Sequence, residues 1–272
     1  MFSQRIIVAT ILIPVTIGAV YAGGWFYLVL ILGLLGTAAW EYWRMFQKGG
    51  LCPSRSILIG GVLLLAASRA WLGFTFSDLC LSAIILVSMF VHTLAYERGI
   101  DCSASSFAVT LSGVLYLGWI GAYLFSLRNL PDGIWWTLTV VPSAAFADSG
   151  GYIFGKTLGK HPFSPRVSPK KTWEGYVGGI VFAMVFTALI AALWHLRAPA
   201  VTPLAGLIIG AVMSILCPIG DLGESMLKRQ FGLKDSSNLL PGHGGIFDRI
   251  DSWLWAGVIG YYLVLLLTRK LI

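Results

Sequence analysis

The chain has 272 residues, 57% of them apolar and only 11% charged, with a formal net charge of +7. A soluble globular domain carries roughly 25% charged residues, and the mean hydropathy of +0.81 points away from that class. An ordinary soluble domain is therefore excluded, and the long apolar blocks fit helices that cross a bilayer, each of which needs about 20 apolar residues.

In chain order the candidate spans lie near residues 5–22, 25–43, 56–73, 77–96, 105–126, 134–154, 175–196, 202–220 and 252–270. The pattern predicts an all-α, polytopic integral membrane protein with about nine transmembrane helices. Arg5 and the small residues Ala22-Gly23-Gly24 imitate a signal peptide. A second apolar span begins at Trp25, so the segment is read as a retained first helix. Gly60-Gly61 and Gly178-Gly179 fall inside spans, where small residues let helices approach closely.

With the N-terminus inside and nine spans, the cytoplasmic segments collect fourteen of the nineteen Lys and Arg residues. That asymmetry predicts an N-in, C-out topology. The basic surplus is assigned to topology and phosphate chemistry, and no nucleic-acid partner is expected. Cys52, Cys80, Cys102 and Cys217 show no metal-ligand or disulfide spacing.

The two halves of the chain differ. Residues 1–130 read as N-terminal transmembrane helices and little else. Residues 131–272 read as a catalytic region with two cytoplasmic hydrophilic loops, 155–174 and 221–251. Outside the spans, these loops are where polar chemistry concentrates.

Four constellations carry that chemistry. Asp148, followed by Ser149-Gly150-Gly151, is a carboxylate inside an apolar span, and such a costly group either marks a function, its default reading, or caps or bridges neighbouring helices. The segment Ser164–Gly175 joins Ser168, Lys170, Lys171 and Thr172, donors suited to phosphate oxygens, with Glu174 at a helix start. It also reads as a plain positive-inside loop. In Gly220–Arg229, Asp221 and Glu224 are three apart and share a helix face. Glu224 either joins a cation site or pairs with Lys228 at i,i+4, with Arg229 beside it. In Lys234–Asp251, the loop glycines Gly242, Gly244 and Gly245 surround His243 ahead of a helix start, where backbone N–H groups attract anions. His243 is either a phosphate contact or a loop hydrogen-bond donor. Asp248 and Asp251 again share a face, and Asp251 either binds a cation or caps the last span. Carboxylates from separate segments suit Mg²⁺, which prefers oxygen ligands shared with substrate phosphates. HExxH and P-loop motifs are absent.

The run SMLKRQFGLKDSSNLLPGHGGIFDRID at 225–251 resembles the signature of the phosphatidate cytidylyltransferase family, S-x-apolar-K-R, K-D and H-G-G-apolar-x-D-R-apolar-D. SPKKTWEG at 168–175 is similar to that family's basic loop, and Asp148 falls at its A-x-D-[ST] acid, with Ser149 where Thr is common. The likeness covers residues 140–272 well; the first 130 match only as a run of membrane helices. It implies a Mg²⁺-dependent enzyme, with a second metal ion allowed, using CTP and phosphatidic acid. It further implies a homodimer in the cell (inner) membrane with its active site facing the cytoplasm. On this basis Asp221 and Asp248 are the expected metal ligands, joined by Asp148 and Asp251. Lys170, Lys171 and Arg249 are expected to stabilise the reacting phosphates. Ser168, Lys228, Arg229, Lys234, His243, Gly244 and Gly245 are expected to contact substrate. A transporter would thread its polar residues through the bilayer, whereas here they gather at one face.

Overall fold

The computed structural model describes residues 2–240, 242 and 244–268; the side chains of residues 2–9 and 11 fall outside that description. His243, Arg269 and Lys270, and the side chain of Arg5, therefore lie outside the described residues.

Lipid offers no hydrogen-bond partners, so apolar blocks satisfy their backbone internally as helices. They form α1 (Phe2–Ala22), α2 (Gly24–Lys48), α3 (Arg55–Glu97) and α4 (Ser103–Gly113). A π-helical stretch, Val114–Ile120, leads into α5 (Tyr123–Arg128), followed by α6 (Gly133–Leu158). After α6 come β1 (Pro162–Ser164) and β2 (Ser168–Thr172), then α7 (Trp173–His195), α8 (Pro203–Gln230) and α9 (Phe247–Leu267). Among the described residues six helices are long and apolar enough to cross a membrane: Gly24–Lys48, Arg55–Glu97, Ser103–Arg128, Trp173–His195, Pro203–Gln230 and Phe247–Leu267.

At 43 residues, α3 would measure about 65 Å if straight. The hydrocarbon core of a bilayer is only about 30 Å thick. Gly73 breaks it, with φ 73° and ψ −159°. Positive φ is open to glycine because it lacks a Cβ. The break falls between the two arms expected at 56–73 and 77–96.

Two segments differ from the sequence expectation. The basic stretch expected as a loop folds into an antiparallel hairpin, with Pro162 opposite Thr172 and Ser164 opposite Ser168. Its three prolines, Pro162, Pro165 and Pro169, interrupt helix and its Ser/Thr-rich run accepts extended backbone. The helix α8 continues to Gln230, so Asp221–Arg229 is helical and the loop is confined to residues 231–246.

The chain forms two compact units. One runs up to Ser126 and includes Gln230–Ile250; the other comprises Leu127–Arg229 and the chain from Asp251 onward. In the first, α2 buries Leu35, Ala38, Tyr42 and Met45 at helical spacing. The loop is pinned to α2 at both ends. Phe231 packs edge-on against Phe46 at 4.9 Å, and fully buried Phe247 meets Tyr42 at 6.2 Å and Tyr116 at 6.3 Å.

In the second unit α6 and α7 lie backbone against backbone. A Cβ on Gly179 would stand 2.7 Å from the Ala147 carbonyl, and one on Gly175 would stand 2.7 Å from that of Gly151. Small residues permit this approach, as expected for Gly179. Gly61 abuts Val114, while a Cβ on Gly60 would meet no atom of the described residues within 4 Å. Trp136, Val140, Ala191, Ile209, Met213 and Ala256 join α6, α7, α8 and α9 in one core.

Candidate functional site

The second unit holds the acidic centre. One turn apart on α8, Asp221 and Glu224 present the same face, and α9 supplies Asp251. Carboxylate oxygens of the three lie within 4.8 Å of one another. Glu224 and Asp251 are buried, and Asp221 is half-buried. Like charges this close repel unless cations stand among them.

Two ammonium groups do. Lys171, on β2, forms an ion pair with Asp221. Lys228, one turn along α8, lies 3.1 Å from Glu224 Oε1. Ser225 Oγ donates to Asp221 Oδ1 at 3.4 Å, and Ser252 N donates to Asp251 Oδ1 at 2.7 Å. Asp148, on α6, acts electrostatically on Asp251. Among the described residues, the three carboxylates of this group face two lysines. An all-oxygen donor set of this kind fits a hard divalent cation, so the residues present suit the metal that the sequence implied.

The hairpin sorts the paired lysines. Successive strand residues face opposite ways, so Lys171 is half-buried against Asp221 while Lys170 is exposed. Ser168, half-buried, opens β2 opposite Ser164. Glu174 accepts from the backbone N–H of Lys160 at 3.1 Å and of His161 at 3.2 Å, and meets His161 Nδ1 at 2.5 Å. Together with the Thr172 cap, whose Oγ1 accepts from Gly175 N at 3.2 Å, it fixes the hairpin to the start of α7. Lys171 is thereby held by a rigid element instead of a free loop.

Asp248 belongs to the first unit and has different surroundings. Its Oδ2 accepts from Gly245 N at 2.7 Å, Ser236 N at 3.0 Å and Ser236 Oγ at 2.9 Å. Gly244, at φ 80°, turns the backbone toward it. Lys234 and Arg249 are exposed, and Arg229, at the end of α8 in the second unit, is exposed as well. The structure thus brings Asp221 and Asp251 together with Lys171 and Lys228 in the second unit. Asp248 is held by Ser236 and Gly245.

Glu224, given two readings from sequence, pairs with Lys228 and lies beside Asp221 and Asp251. Glu41, fully buried on α2, is a residue the sequence reading passed over. The available signal was a carboxylate within an apolar span, the same signal that singled out Asp148.

A largely helical chain with several helices long and apolar enough to cross a bilayer has the make-up of a multi-pass membrane protein, and its acid–ammonium cluster is of the donor types that phosphate-handling sites use. More specifically, the chain belongs to the cytidylyltransferase family, whose sequence model matches residues 3–267. It is 32% identical to a phosphatidate cytidylyltransferase of Synechocystis sp., with 97% of each chain covered. It is also 32% identical to the Bacillus subtilis phosphatidate cytidylyltransferase over 97% of each chain, and 33% identical to that of Pseudomonas aeruginosa over 93% of each.

Proposed function

We propose that the chain transfers CMP from CTP to phosphatidic acid, giving CDP-diacylglycerol and pyrophosphate, in phospholipid biosynthesis. The observation that carries the reading is the acidic trio of Asp221, Glu224 and Asp251 with Lys171 and Lys228 against it, in a chain similar along 97% of its length to relatives named for this activity.

The lipid phosphate is already an anionic nucleophile, so a strong general base is not required. The barrier lies in bringing two polyanions together, and charge neutralisation with positioning lowers it. Asp221, Glu224 and Asp251 would hold Mg²⁺, with Asp148 as a further carboxylate for it, and Asp248 is proposed in its own right as a metal ligand. When bound, the ion supplies positive charge to phosphate oxygens. Lys171, anchored by the hairpin, offers an ammonium group that can turn from Asp221 to an incoming phosphate. Lys228 holds Glu224 in place and adds a second positive charge. Lys170, Ser168, Arg229, Lys234, His243, Gly244, Gly245 and Arg249 complete the proposed phosphate and nucleotide contacts.

The reading includes nine spans with the N-terminus inside and the C-terminus outside, in the cell inner membrane. The Gly73 break supports counting α3 as two arms, and the Lys and Arg residues gathered in the 155–174 and 221–251 segments support their cytoplasmic placement. One substrate is water-borne and the other sits in the leaflet, so a site at the cytoplasmic membrane edge serves both. A homodimer rests on the family likeness alone.

The test is direct. Detergent-purified protein is incubated with CTP labelled at the α-phosphate, phosphatidic acid and Mg²⁺. Label is expected in the lipid phase, and a chelator is expected to abolish it. Label confined to the aqueous phase would overturn the assignment.

A further inference from the structure

Glu41 lies on α2 in the run Trp40-Glu41-Tyr42-Trp43 and has no exposed surface. Its carboxylate accepts four hydrogen bonds from the described residues. Ser236 Oγ donates at 3.1 Å, Ser237 Oγ at 2.5 Å, Ile246 N at 3.0 Å and Phe247 N at 2.7 Å. The donors come from both sides of the 231–246 loop. Two are backbone N–H groups at the start of α9, which have no partner within the helix and carry its positive dipole end. A carboxylate over 190 residues upstream in sequence therefore caps α9 and closes the loop.

Two features tie this contact to Asp248. Ser236 Oγ lies 3.1 Å from Glu41 Oε2 and 2.9 Å from Asp248 Oδ2. A hydroxyl has one proton, so the two carboxylates share a single donor and the orientation of each bears on the other. Gly245, whose N–H donates to Asp248 at 2.7 Å, also lies against Glu41. A Cβ there would stand 2.5 and 2.6 Å from the two Glu41 oxygens.

We propose that Glu41 is a positioning residue for CMP transfer, fixing the Asp248 carboxylate through Ser236 and the start of α9. This rests on the assignment of Asp248 to the metal. It gives α2, in the half of the chain otherwise assigned to membrane anchoring, a part in the reaction.

The test compares Glu41→Gln, Ser236→Ala, Ser237→Ala and Asp248→Asn in the full-length detergent-purified protein. Direct Mn²⁺ binding is read by electron paramagnetic resonance, and kcat and the KM for CTP are measured at saturating Mg²⁺. Gln keeps the size of Glu41 but turns one acceptor oxygen into a donor. Ser236→Ala cuts the link to Asp248 while leaving the Ile246 and Phe247 contacts, so it serves if Glu41→Gln does not fold. Both are expected to raise the Mn²⁺ half-saturation concentration about 10-fold and to lower kcat with little change in KM. Ser237→Ala, which touches Glu41 without touching Asp248, is expected to stay within about twofold on every measure. A merely structural role would give wild-type Mn²⁺ binding in the folded fraction of Glu41→Gln and Ser236→Ala, and would overturn the proposal. If Asp248→Asn loses Mn²⁺ while those two do not, the positioning role alone falls. If Asp248→Asn binds Mn²⁺ as wild type does, the metal role of Asp248 falls and takes this proposal with it.

Discussion

In the first unit, Glu41 and Asp248 accept hydrogen bonds from backbone N–H groups and serine hydroxyls on the 231–246 loop and at the start of α9. In the second, Asp221, Glu224 and Asp251 face one another across less than 4.8 Å, with lysines as counter-charges. The residue types match, but the free-energy consequences are opposite. Carboxylates paired with N–H and O–H donors are fixed in place, which at Glu41 holds the fold together and at Asp248 sets the orientation of the side chain. Carboxylates pressed against each other store repulsion that a bound cation relieves. An acid's place in a membrane protein is therefore read from its partners, not from its burial.

The sharpest way to break this comparison is to neutralise the second group. Asp221→Asn is expected to lower CMP transfer about 100-fold or more, because it removes both a ligand and the partner of Lys171. Incorporation of labelled CTP into lipid measures this. The melting temperature of Asp251→Asn should stay level or rise while its activity falls, since one source of repulsion is gone. A large drop in its melting temperature would show that the trio is structural.

Lys171→Ala is expected to cost about 10- to 100-fold in kcat/KM. Added to Asp221→Asn it should cost less, because the two side chains touch and their effects are not additive. Additive losses would separate Lys171 from the acidic centre.

Glu41→Ala tests the first group. It strands the N–H groups of Ile246 and Phe247 and takes the acceptor from Ser237 Oγ, while Ser236 Oγ keeps Asp248, at about 1–3 kcal/mol for each buried donor left unsatisfied. Its thermal stability in detergent should fall well below that of Glu224→Gln. Equal stability would erase the contrast between the two groups.

Mg²⁺ should raise the melting temperature of the wild-type protein by mass action, and this gain should vanish in Asp221→Asn and Asp251→Asn. Retention of the gain in both would move the ion elsewhere. The smallest effect belongs to Lys170→Ala. Lys170 is exposed while Lys171 pairs with Asp221, so its loss is expected to stay within about threefold. An effect equal to that of Lys171→Ala would show that both faces of β2 meet substrate.

Much of the second unit was legible without coordinates. Asp221 and Glu224 stand three apart, and helical geometry alone puts them on one face. Lys170-Lys171 was legible as a phosphate-binding pair but not as a sorted one, because the alternation depends on a hairpin that hydropathy does not signal. Glu41 was hidden by its neighbours. It lies among Trp40, Tyr42 and Trp43 in an apolar span, and its donors are about 200 residues away in the chain.

From composition and pattern alone came the membrane class, the helical blocks, the family likeness and the acids and lysines that meet in the second unit. Each follows from local physics: hydrophobic length, helix periodicity and charge. Tertiary structure decided which acids are neutralised by hydrogen-bond donors and which confront one another. Partner choice depends on where distant segments pack, and no local rule in the chain encodes that.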